Sequence, residues 1–180
     1  MTTIYCTKKV VEEAGFAGDL VRDSDSDSPL TGWYAHLFFR KRKKCLIFTN
    51  VRTLYSFVAE SVSRSDIRTL DKLFRKELNR LLFYEEFSAD VMVRMIVETE
   101  NIKFGKASNR SVLGSMNDLI KQHMGYTERL EGEGRADLVA VNRQINRTPM
   151  GAMKYAFPIE KFKEALGFGT SKEKFVDFLV

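Results

Sequence analysis

Cysteine, histidine and proline are scarce in this chain, with two, two and three residues among 180. Two cysteines cannot staple a fold of this size. Cys6 and Cys45 read as reduced, buried thiols rather than a disulfide. His36 and His123 form no pair at metal-ligand spacing, and Cys-x-x-Cys and His-Glu-x-x-His are both missing, which argues against a zinc site. Nothing in the sequence asks for a cofactor. No apolar run approaches the roughly 18 residues of a membrane span. The segment Met1-Thr2-Thr3-Ile4-Tyr5-Cys6 lacks the basic start and long apolar stretch of a signal peptide. A cytoplasmic protein with no membrane attachment is therefore expected. On that expectation the Asn-x-Ser/Thr tripeptides at Asn109 and Asn146 carry no glycan.

What is present is a globular composition: 44% hydrophobic residues and 14 phenylalanines, enough for one domain spanning 1–180 with a sizeable core. The net charge of +5 is compatible with a nucleic-acid partner without requiring one. Its distribution is uneven. Arg40, Lys41, Arg42, Lys43 and Lys44 form an unbroken basic run, and Asp/Ser alternate over 23–28 in an acidic loop, about 22–30, expected to be flexible.

Periodicity and breakers outline an α+β domain, a small and mainly antiparallel sheet packed with several helices. Strands are expected at Ile4–Cys6, Trp33–Phe39, Cys45–Thr49, Thr53–Val58 and Ile102–Phe104. The basic run would join the second and third as a hairpin, though it holds no Gly, Asn or Asp. Helices are expected from Thr7 to Ala14, from Asp66 to Tyr84 behind a Ser65 cap, and from Ala89 to Glu98. Others should run from Ser111 to Met124, Leu138 to Ile145 and Ile159 to Leu166, with a last turn over Phe175–Leu179. Gly125, Gly132 and Gly134 mark 125–135 as a loop.

Several motifs fail on inspection. Asp23, Asp25 and Asp27 begin like a calcium loop, but the sixth and twelfth positions hold Ser28 and Tyr34. Phe104-Gly105-Lys106-Ala107-Ser108 is not a Walker loop, because Glu100 and Ala107 stand at its defining positions. A helix start with Lys106 and Arg110 beside it can hold an anion, or Ser108 or Asn109 can simply cap it. A Ser–His–Asp assembly from Ser111 or Ser115, His36 or His123, and Asp118 lacks any nucleophile-elbow pattern. Ser111, Ser115, Asp118 and Gln122 share a polar helix face, suited either to a ligand or to neighbouring backbone. Basic residues 40–44 flanked by Trp33, Tyr34, Phe38 and Phe39 form the best nucleic-acid signal: cations for phosphate, rings for stacking. The alternative is a solvated turn beside a core strand.

Ile4-Tyr5-Cys6-Thr7-Lys8-Lys9, Trp33-Tyr34-Ala35-His36-Leu37-Phe38, Cys45-Leu46-Ile47-Phe48-Thr49-Asn50 and Asn146-Arg147-Thr148-Pro149 together resemble a bacterial family catalogued as domain of unknown function 6933. The most specific stretch is Asn109-Arg110-Ser111-Val112-Leu113-Gly114-Ser115-Met116-Asn117-Asp118. The resemblance covers roughly residues 4–155 and implies a bacterial or mobile-element protein, with no activity to carry over. Two readings stay open. One is a non-enzymatic binding module for nucleic acid or a protein partner, in regulation or defence. The other is an enzyme acting on a phosphate-containing substrate in a cleft formed by 109–118 and 142–148. Its residues would be Lys106, Asn109, Arg110, Ser111, Ser115, Asn117, Asp118, Asn146 and Arg147. The second requires those two segments to converge.

Overall fold

A computed structural model describes residues 1–16, 18, 20–22, 28–135 and 137–168. The Asp23–Asp27 part of the acidic loop and the turn expected over 175–179 lie outside the described residues. Strands β1 (Thr2–Cys6), β2 (Gly32–Arg40), β3 (Lys43–Asn50), β4 (Ser56–Glu60) and β5 (Ile102–Lys106) form one mixed sheet in the order β4-β3-β2-β1-β5. β2, β3 and β4 are the expected antiparallel meander, and β1 lies parallel to both β2 and β5. The domain is thus α+β, with a mainly antiparallel sheet.

The pleat sorts alternate residues to two faces. Ile4, Trp33, Ala35, Leu37, Leu46, Phe48 and Phe57 face one core. It is covered by α1 (Lys8–Ala14), α2 (Arg64–Arg68), α3 (Leu70–Tyr84), α4 (Ala89–Glu98) and α7 (Pro158–Ala165). Trp33 is fully buried there, edge-on to Phe74 at 5.1 Å, and its indole N–H donates to the Leu30 carbonyl at 2.8 Å. Tyr5, Tyr34, Phe38, Cys45, Ile47 and Val58 face the other core, under α5 (Arg110–Gly132) and α6 (Leu138–Ile145). Cys6 and Cys45 are free, buried and on opposite faces, and burial pushes the Cys6 thiol up to about 12.

Several sequence expectations need correction. The helix expected from 66 breaks at Thr69, and its cap is Ser63 rather than Ser65. Ser63 Oγ accepts from the Asp66 N–H at 3.1 Å while Asp66 accepts from the Ser63 N–H at 2.8 Å, a reciprocal capping box. Most of the loop expected at 125–135 is instead the end of α5, which runs to Gly132 and leaves only 133–135 as a turn. Buried His123 and Thr127, and the ion pairs of Glu131, hold it helical. This outweighs the roughly 1 kcal/mol helix cost of Gly125. β4 begins at Ser56, not Thr53, because Asn50 Oδ1 accepts from the N–H groups of Arg52 and Thr53 and keeps that stretch a turn.

Most of the basic run is strand rather than connection. Only Lys41 and Arg42 turn the β2–β3 hairpin, both in the left-handed region at φ 47° and 64°. Two-residue turns of this kind suit Asn-Gly, and each non-glycine residue there is strained by roughly 1–2 kcal/mol. Arg42→Gly is expected to raise stability by about 0.5–1 kcal/mol after glycine's own entropic cost, read as a higher urea midpoint with unchanged slope.

Candidate functional site

The open edge of β4 is where side chains from a helix meet unpaired backbone. In its ladder with β3, Ser56 and Val58 turn their N–H and C=O groups outward. Asn146 Oδ1 accepts from the Ser56 N–H at 2.8 Å, and its Nδ2 donates to the Ser56 carbonyl at 2.7 Å. Asn142 does the same to Val58, at 2.9 and 3.0 Å. Two carboxamides one helical turn apart thus pair with the strand as another strand would. The register works because four residues of helix advance about 6 Å and two residues of strand about 6.7 Å. Asn146 is fully buried and its Nδ2 also donates to the Asn142 carbonyl, so its donors are in use.

The remaining sequence candidates separate into different places. Asn109 is the N-cap of α5, accepting from the N–H groups of Ser111 and Val112. The Tyr34 hydroxyl accepts from the N–H groups of Ser108 and Asn109 at 3.2 and 2.8 Å. Four backbone donors around this helix start are therefore already engaged. Ser115 is buried and donates to the Ser111 carbonyl at 3.1 Å. Lys106, Arg110, Ser111, Asn117 and Asp118 are exposed, and Asp118 pairs with Lys121 at 3.7 Å. Arg147 turns away from that group to hold Glu85 at 2.5 and 2.7 Å, and Arg143 approaches the same carboxylate at 3.5 Å. Asp118 and Arg147 do not meet.

Carboxylates also claim most of the basic run. Arg40 holds Glu60 at 3.0 and 3.1 Å and Glu131 at 2.9 Å, Lys41 holds Glu131 at 2.5 Å, and Lys44 pairs with Glu13. Arg42 and Lys43 have no carboxylate partner among the described residues. Of the flanking aromatics, Trp33, Tyr34 and Phe38 are buried and Phe39 is exposed. His123 is fully buried beside Phe38, with Nε2 at 3.0 Å from Glu60 Oε1. The His123 hydrogen bond, followed by those of Arg40, holds the Glu60 carboxyl down at about 2.

Along the β4 edge lies a cavity of about 260 Å³, lined by Ala59, Glu60, Ser61, Val62 and Leu138 and, from α2 and α3, Asp66, Leu73, Lys76, Glu77 and Arg80. A narrower pit beside Asn142 shares Glu77, Arg80 and Leu138 with it. No residue of 109–118 or 146–147 lines either one. Sequence reasoning missed Asn142, Glu60 and Glu85. The Asn pair four apart on α6 was the available signal for the first. Among the described residues no group of three His, Cys, Asp or Glu is placed to hold a metal ion, and no helix is long and apolar enough to cross a membrane.

These features define an α+β domain whose sheet edge is closed by asparagine side chains from a packed helix. The chain belongs to the family described as Domain of unknown function (DUF6933), whose pattern matches residues 3–161. Among curated proteins none matches it.

Asn146→Ala orphans a buried N–H and a buried C=O of Ser56, at about 1–3 kcal/mol each. It is expected to cost about 3 kcal/mol in denaturant unfolding, whereas Asn117→Ala stays within about 0.5 kcal/mol. Glu60 is depressed from 4.5 to about 2, so its stabilising contribution is full above 4.5 and is lost as pH falls toward 2. Glu60→Gln should therefore flatten that part of the stability–pH curve by about one proton. It should also lower stability at neutral pH by leaving Arg40 short of a counter-charge.

Proposed function

We propose that this chain is a non-enzymatic binding module for a protein partner. The observation that carries the reading is the outer face of α4, where Val93, Ile96 and Val97 are 61%, 51% and 64% exposed at helical spacing. The inner face of the same helix buries Val91 and Met95. A helix apolar on both sides is ordinarily packed on both sides. Phe83 and Tyr84, at the end of α3, are also exposed. Asp90, Arg94 and Glu98 flank the stripe along one row, so the complementary partner has an apolar patch with a mixed polar rim.

The engagement of Asn109, Ser115, Asn146 and Arg147 within the fold supports the binding reading over a phosphate-handling cleft. The pairing of Arg40, Lys41 and Lys44 supports a protein over a nucleic-acid partner. A Val93→Lys, Val97→Lys double variant should keep its thermal midpoint. It should bind a partner captured by the wild type, then purified and reconstituted, at least about ten-fold more weakly. Equal binding by the variant contradicts the reading. So does salt-sensitive binding of a single-stranded oligonucleotide that vanishes when residues 40–44 are replaced by Ser, which would assign the function to the hairpin.

A further inference from the structure

The asparagine pairing along β4 has a third register position, and it is vacant. Asn146 sits against Ser56 and Asn142 against Val58. One further helical turn back is Leu138, and two residues further along the strand is Glu60, whose backbone N–H and C=O turn outward as those of Ser56 and Val58 do. Leu138 and Glu60 both line the 260 Å³ cavity. Leu138 can fill space there but cannot pair with backbone. A planar amide from elsewhere fits the position: its N–H to the Glu60 carbonyl, its C=O to the Glu60 N–H. That is the pattern by which an extended peptide joins a sheet edge.

The lining also states what such a peptide should carry. Asp66 accepts only from the Ser63 N–H and hydroxyl and has no ion pair among the described residues. Glu77 is largely buried and faces Lys76 and Arg80 only loosely, at 3.6 and 3.8 Å, through side chains that are themselves 73% and 48% exposed. With Glu60 satisfied by Arg40 and His123, Asp66 has no ion pair and Glu77 is held only by Lys76 and Arg80, which line the cavity with it, so an incoming cation takes the place of these two exposed side chains. The volume falls below the roughly 300–1,000 Å³ of small-molecule pockets and suits one inserted residue.

We propose that this cavity is a binding site for an extended peptide segment of a protein partner, pairing its backbone with Glu60 and placing a lysine or arginine side chain against Asp66 and Glu77. The site rests on the reading that the partner is a protein, but it uses β4, α2, α3 and the start of α6 rather than the exposed stripe of α4.

The test titrates the ¹⁵N-labelled full chain with acetyl-Thr-Val-Arg-Val-Thr-amide and with the same peptide carrying Glu for Arg. The Arg peptide should shift the backbone amide signals of Glu60 and Ser61 and saturate in the millimolar range or tighter. The Glu peptide should bind at least about five-fold more weakly. Leu138→Asn supplies the third carboxamide from within and should abolish the shifts, and Asp66→Asn should weaken them. No shift at Glu60 and Ser61 up to about 10 mM peptide overturns the site. Equal binding by the two peptides overturns it as well, as does unchanged binding by both variants. Failure of the peptide with α4-dependent partner binding intact removes only this site. Loss of α4-dependence with peptide binding intact removes only the stripe.

Discussion

A sheet edge presents a row of backbone donors and acceptors that must be paired, covered or left to water, and at β4 this one is closed from within the chain. The Asn142 and Asn146 carboxamides reproduce the two-bond pattern of a strand at Ser56 and Val58. A helix makes poor company for a strand edge, since its own backbone groups are spent inside it. Only side chains can bridge the two, and a carboxamide is the side chain that both donates and accepts in one plane. The near match between one helical turn and two strand residues is what lets one helix serve two positions. It also fixes where α6 lies, and hence how α5 is held over the second core. The opposite edge is guarded differently: Val21 bonds with Phe104 and Lys106, and a side chain at Gly105 would collide with Tyr5 and with the Val21 carbonyl. Where it is closed in this way, at Ser56, Val58 and along β5, the edge resists pairing with other chains.

The same economy runs through the polar residues that first looked like chemistry. The Asn109 side chain caps α5, Ser115 bonds back to its own helix, and Arg147 neutralises Glu85, whose side chain is only 1% exposed. A buried carboxylate left without a cation costs several kcal/mol, so Arg143 of α6 and Arg147 just beyond it are tied to the end of α3. Arg40 plays the matching part at the other end of the domain, joining β4 to α5 through Glu60 and Glu131. Among the described residues, the outer face of α4 and the backbone of Glu60 are two places left without a partner inside the fold.

Much of this architecture is legible in the sequence. Aromatic-rich apolar runs give β2 and β3, which are buried on both faces, and helical spacing gives α3 and α4, which bury one. The errors fall where tertiary contacts override local preference. Gly125 reads as a loop, yet His123 and Glu131 on either side are anchored to the sheet. The basic run reads as a free turn, yet its counter-charges arrive from α1, β4 and α5, which no local window contains. Asn146 reads as a ligand group because carboxamides serve ligands and backbone equally well. Only the position of α6 against β4 decides between them.

The claim that asparagine side chains stand in for a strand is tested most directly by amide hydrogen exchange. The N–H groups of Ser56 and Val58 lie on an edge strand, where amides open to solvent exchange quickly. The account predicts that both exchange only through global unfolding, as slowly as the Ile47 amide in the interior strand β3. Exchange of Ser56 and Val58 faster than Ile47 by several orders of magnitude, in the folded wild-type protein, would contradict it.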